Sequence, residues 1–225
     1  MSSSKSLIEN KRGIETLEIT DNQVVVKAPI DRVSQAFFQE RQAVNLKYDV
    51  YNNEVEITDL CFIIYQLKKH SWTLIKTENC EPSETYLNCN DAKILSSVLH
   101  TKAIFYSVID NPINIYYNLY IDGDSKETFN FCNEYNDVDE DFEESDEDEA
   151  SIEGLYTFHS KLRLVQDSDI KDEFTFVNAF FEEHDVYVPP LNTICESGKT
   201  GRKVTLTISG FQHDDFERMD YISVK

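Results

Sequence analysis

Between residues 113 and 121 the chain alternates without a break. Ile113, Ile115, Tyr117, Leu119 and Ile121 fall on one side of an extended backbone, and Asn114, Tyr116, Asn118 and Tyr120 on the other. Side chains of a strand point alternately to its two faces, so this pattern predicts a strand with one buried side. Residues 104–109 precede it across Asp110-Asn111-Pro112, and residues 127–131 follow it across Asp122-Gly123, a dipeptide suited to a tight hairpin turn. Together they predict a three-stranded meander. Its other face, bearing Tyr116 and Tyr120, is amphipathic and a candidate surface for a ligand.

Elsewhere the apolar spacing switches to that of helices. Pro29 opens a segment with Val33, Ala36 and Phe37 on one stripe, predicting a helix over 30–42. A second is predicted over 91–100, capped by Asn90 or Asp91, with Ala92, Leu95, Val98 and Leu99 on one side. A third, over 172–184, carries Phe174, Val177 and Phe181. Further strands are expected at 14–20 and 23–27, as a hairpin turning at Asp21-Asn22, and at 62–67 and 71–76, turning at Lys68-Lys69-His70 and packing Trp72. Weaker strand character marks 46–51, 155–162, 186–188 and the alternation of Val204, Leu206 and Ile208, and residues 221–224 are expected to close the sheet. These elements predict an α+β fold, a mostly antiparallel twisted sheet covered on one side by three helices. Residues 1–12 read as a flexible lead, and 13–225 as a single domain interrupted by an insertion at 134–151.

Charge sharpens this picture at one place. The chain has 42 acidic and 21 basic side chains, a formal charge of −21. From Glu134 to Glu149, 11 of 16 residues are Asp or Glu, and no Lys or Arg occurs between Lys126 and Lys161. Self-repulsion and low hydrophobicity predict a disordered acidic loop there. Its opening, Asp137-x-Asp139-x-Asp141, copies the spacing of a calcium loop, but Phe142 stands where that loop needs Gly and Asp148 where it needs a bidentate Glu. No metal or other cofactor is therefore expected.

The remaining motifs carry little chemistry. Gly198-Lys199-Thr200 resembles the end of a phosphate loop, but Thr193 replaces the required earlier Gly. The five cysteines show no Cys-x-x-Cys pair and the five histidines no metal-ligand spacing. Cys61, beside Phe62-Ile-Ile, reads as core filling. With no signal core, no long apolar run and no lipidation motif, a cytoplasmic protein is expected.

A negative surface disfavours direct contact with nucleic acid or anionic membrane and favours basic proteins or peptides. The expected function is noncatalytic binding of such a partner, as an inhibitor, an immunity-type antidote or a regulatory adaptor. Asp139, Glu140, Asp141, Glu143, Glu144, Asp146, Glu147 and Asp148 would supply a cloud of charge, with Tyr116 and Tyr120 on the ordered surface. A small-molecule sensing domain over the tyrosine face and an enzyme of unrecognised type are the alternatives.

Overall fold

A computed structural model describes residues 8–15, 21–58, 60–77, 87–109, 114–132, 155–164, 172–189, 201, 203–208 and 210–224. In chain order its elements are β1 (Gly13–Ile14), β2 (Asp21–Val26), α1 (Ile30–Glu40), β3 (Asn45–Lys47), β4 (Glu54–Glu56), β5 (Leu60–Leu67), β6 (Thr73–Thr77) and α2 (Cys89–Leu99). There follow β7 (Lys102–Ile109), β8 (Asn114–Ile121), β9 (Asp124–Cys132), β10 (Leu155–Ser160), α3 (Glu173–Glu183), β11 (Tyr187–Val188), β12 (Lys203–Thr205) and β13 (Phe216–Val224). Nine strands form one antiparallel sheet in the order β10-β9-β8-β7-β2-β6-β5-β13-β3. Two small pairs, β1 with β11 and β4 with β12, lie outside it. The protein is thus α+β, with a large antiparallel sheet and, among the described residues, three α-helices of 11 residues each.

The meander forms, but both faces of its central strand are covered rather than one. In β8, Ile115, Tyr117 and Leu119 are buried in one core while Tyr120 is buried in the other. The β8–β9 turn places Asp122 at φ 52° and Gly123 at φ 84°, the left-handed pair that joins two twisted strands most tightly. Gly123 also brings its N–H to Ser96 Oγ at 3.1 Å, and a Cβ there would lie 2.8 Å from the Cβ of Ser97. Only glycine fits this approach.

The hairpin of β5 and β6 also forms, turning at Lys69 with φ 65°, and Trp72 is buried with its indole N–H donated to the His184 carbonyl at 2.9 Å. Of the hairpin expected around Asp21-Asn22, residues 16–20 lie outside the described residues, and Asp21 and Asn22 do not turn but continue β2, paired with Val108 and Ser107. Strand β2 instead sits mid-sheet between β6 and β7, and β1 pairs in parallel with β11. Val24, Val25 and Val26 explain the difference: all three are fully buried, on alternate faces, so the strand needs cover on both sides and a neighbour on both edges.

The same requirement divides the helices. β5 is buried at every position, and its odd and even residues belong to different cores. Helices α1 and α2 pack on the face of Val24, Phe62 and Phe105, and α3 on the face of Val25, Tyr65 and Tyr117. All three helices on one side would have left the other apolar face in water. Helix α2 starts earlier than expected, with Asn88 as its N-cap and Asp91 returning a bond to the Asn88 N–H, a reciprocal capping box. Val98 points outward at 58% exposure rather than joining Leu95 and Leu99. The C-terminal strand β13 is not an edge either; it lies between β5 and β3. Among the described residues no helix is long and apolar enough to cross a membrane.

Candidate functional site

The sheet register builds a cleft from parts that are remote in sequence. Phe216, at the start of β13, pairs with Leu67 at the end of β5. This sets the β5–β6 turn beside the 3-10 turn His213–Asp215, and the Lys68 N–H donates to the Asp215 carbonyl at 2.9 Å. The N-terminal segment closes the third side, with Lys69 paired to Glu9 and a ring nitrogen of His70 3.0 Å from the Ile8 carbonyl. Ile8, Glu9, Lys68, Lys69, Asp214, Asp215 and Glu217 line a half-open cavity of about 300 Å³. Four carboxylates face two ammonium groups, and Glu9 holds one of the two. The balance suits a cationic side chain better than an anion.

Beneath the cleft, burial holds the pKa of His70 below its ordinary value; its bond to the Ile8 carbonyl and the Glu9 charge oppose that shift, and Arg12 adds to it. His184 is lowered too, first by burial and then by Lys102. A depressed imidazole pKa means that the unfolded chain binds the proton first, so this stability is present near neutral pH and lost as pH falls below about 6.5. We expect the urea midpoint of the unaltered chain to fall from pH 7 to pH 5.5 relative to that of a His70→Gln, His184→Gln variant. Parallel pH profiles for the two proteins would refute this.

Two charge clusters are internal. The Glu127 carboxylate, on β9, is fully buried and receives Arg163 Nε at 2.6 Å and Ser160 Oγ at 2.9 Å. The other arm of Arg163 reaches Glu183 at the end of α3, and its guanidinium lies 4.7 Å from the centroid of the Phe180 ring. Asp220, on β13, is also fully buried and accepts from Ser34 Oγ at 2.6 Å, the Asp49 N–H at 3.2 Å and Arg218 at 2.8 Å. A third, largely buried pair, Arg41 with Asp91 at 2.5 Å, ties α1 to α2. Burial raises the Asp91 pKa, and Arg41 opposes it.

The residues singled out in the sequence fare differently. Asp139, Glu140, Asp141, Glu143, Glu144, Asp146, Glu147 and Asp148 lie outside the described residues, as do Gly198, Lys199 and Thr200. Tyr120 is 7% exposed and packs into the core shared with α2, and Tyr116 lies partly buried against that core. Burial and the neighbouring Cys89 thiol push the Tyr120 hydroxyl up to about 12. Helix α2 thus occupies the side of Tyr120 that a ligand would have used. His213 turns to Asp49 at 3.2 Å rather than toward its sequence neighbours Asp214 and Asp215.

The comparisons add no family. No protein-family model, no curated protein and no solved structure matches the chain. The chemistry must therefore be read from the side chains themselves. Among the described residues, no group of three or more His, Cys, Asp or Glu is gathered as a metal ion requires.

Proposed function

We propose that the chain is a noncatalytic binding module for a basic protein or peptide, acting as an inhibitor, an antidote or an adaptor. The observation that carries this reading is how its cations are used. Arg12, Arg41, Arg163 and Arg218, together with Lys11, Lys69 and Lys126, are held in ion pairs within the chain. These are seven of the chain's 21 cations, and with carboxylates outnumbering cations two to one each such pair leaves the negative excess unopposed elsewhere on the surface. Glu217, beside the Asp215 carboxylate that caps the 3-10 turn by accepting the Gln212 N–H, gives that excess an ordered location in a cleft able to seat a lysine or arginine side chain of the partner. The stretch 134–149 adds charge that accelerates encounter more than it strengthens the final complex.

Affinity purification from the native cell, with the intact chain beside a variant lacking 134–149, tests the reading across a salt series. The expected captures are basic proteins that elute as salt rises, because screening shortens the reach of exposed charges. For one such partner the association rate should drop about tenfold or more without the acidic stretch at low salt, and the two rates should converge in strong salt. Partners that are not basic, or that persist unchanged in strong salt, would remove the basis of the proposal.

A further inference from the structure

The two edges of the large sheet are built differently. At one end β3 has three residues, one of them Lys47, and a short edge bearing a lysine resists pairing with another strand. At the other end β10 has six residues, Leu-Tyr-Thr-Phe-His-Ser, with no Asp, Glu, Lys, Arg or Pro, in a chain where 28% of residues are charged. Among the described residues no strand lies beyond it.

The direction of its backbone follows from the register. The Lys161 N–H donates to the Lys126 carbonyl at 2.8 Å, so this pair is hydrogen-bonded, and bonded and non-bonded pairs alternate along an antiparallel ladder. Thr157 and His159 therefore face β9 with their backbone groups, whereas Tyr156, Phe158 and Ser160 turn theirs outward. The side chains of Tyr156 and Phe158 extend the core, and those of Thr157 and His159 are exposed on the opposite face. Just past the strand, Leu162 is 49% exposed and Leu164 fully so. Ser160 and Arg163, both bonded to buried Glu127, hold the end of this edge in place.

We propose that β10 is a docking edge to which an extended, cationic segment of a partner protein adds as a tenth strand. Strand addition takes its affinity from backbone bonds and its specificity from alternate side chains. Here the added strand would set apolar residues beside Tyr156 and Phe158 and basic residues beside Thr157 and His159. Charge selects the occupant. A second copy would bring another −21 to the same edge, whereas a basic segment is drawn by the whole chain's field. The proposal rests on the basic-partner reading and adds the location and the backbone mode.

The test uses the full chain and an octapeptide of alternating lysine and valine, its glutamate and valine counterpart, and a lysine and valine peptide N-methylated on alternate residues. Titration followed by amide exchange is expected to show the first peptide binding and slowing exchange at Tyr156, Phe158 and Ser160. The methylated peptide should bind at least tenfold more weakly, and the acidic peptide not at all. Thr157→Lys with His159→Lys should weaken the first peptide at least fivefold, and Thr157→Glu with His159→Glu should not. Equal binding of the plain and methylated peptides, with no protection on β10, overturns strand addition while leaving charge capture intact. Failure of both basic peptides to bind overturns both readings. Protection of the three amides in the free chain, or their protection only on dimerisation, assigns the edge to the chain's own residues or to a second copy and also overturns the proposal.

Discussion

Replacing Arg163 with methionine is expected to destabilise the chain by about 3–5 kcal/mol, the cost of leaving a buried carboxylate without its cation. Glu127 is fully buried, and among the described residues it accepts, besides Arg163, from the hydroxyls of Ser160 at 2.9 Å and Tyr117 at 3.4 Å. Two hydroxyl donors do not neutralise a charge removed from water. Burial drives the Tyr117 hydroxyl well above its ordinary value, and the Glu127 charge adds to that, so the phenol stays a neutral hydrogen-bond donor with no positive charge to offer the carboxylate. The double replacement Glu127→Leu with Arg163→Met should recover part of the loss, because no buried charge remains where Phe158, Phe176 and Phe180 already cluster, while the Tyr117 and Ser160 hydroxyls give up their acceptor. Urea denaturation of the two single variants and the double variant, read as a cycle, measures the coupling. If Arg163→Met costs under about 1 kcal/mol, Glu127 is sustained by something other than this pair.

That cluster shows where sequence reasoning reaches and where it stops. Glu127 stands in phase with Phe129 and Phe131, a signal for a buried acid that the strand expected over 127–131 carries but that pairs it with nothing. Its partner was beyond reach. Arg163 lies 36 residues further on, past the acidic stretch, and no local spacing connects the two. The cleft repeats the lesson. The Lys68-Lys69 turn and the Asp214-Asp215 pair are each visible as polar turns, but only the pairing of Phe216 with Leu67 sets them side by side. Local signals specified the meander, the β5–β6 hairpin and the three helices, because each buries its own stripe or closes its own turn. Sheet order depends on which strands are apolar on both faces. The run Val24-Val25-Val26 carried that signal, yet its position beside Asp21-Asn22 made a local hairpin look sufficient.

Strand β13 gives the other large expected effect. Asp220→Ala should cost about 3–5 kcal/mol, since it strands a cation and two further donors together. Ser34 on α1 is fully buried, and its hydroxyl donates to Asp220. The Asp49 N–H, in a turn where Asp49 has φ 51°, donates to the same carboxylate. Arg218 is left with Asp31, whose side chain is 70% exposed and screened by water. Asp220→Asn keeps the acceptor for Ser34 or Asp49 while losing the charge, and should cost about 2 kcal/mol, the worth of a charge-assisted bond. The loss should also be local before it is global. Val44 and Val50 donate to the carbonyls of Ser223 and Met219, holding β3 against β13 at 3.0 and 2.7 Å. Tyr48 between them stacks on Arg218 at 4.9 Å from ring centroid to guanidinium carbon. With Arg218 released, the β3 edge should open more often, so amide exchange at Val44 and Val50 should accelerate more than at Val24 and Val25 in the sheet centre. Uniform acceleration across the sheet would mean that Asp220 supports the whole fold rather than this edge, and unchanged exchange at all four sites would mean that the buried carboxylate holds neither.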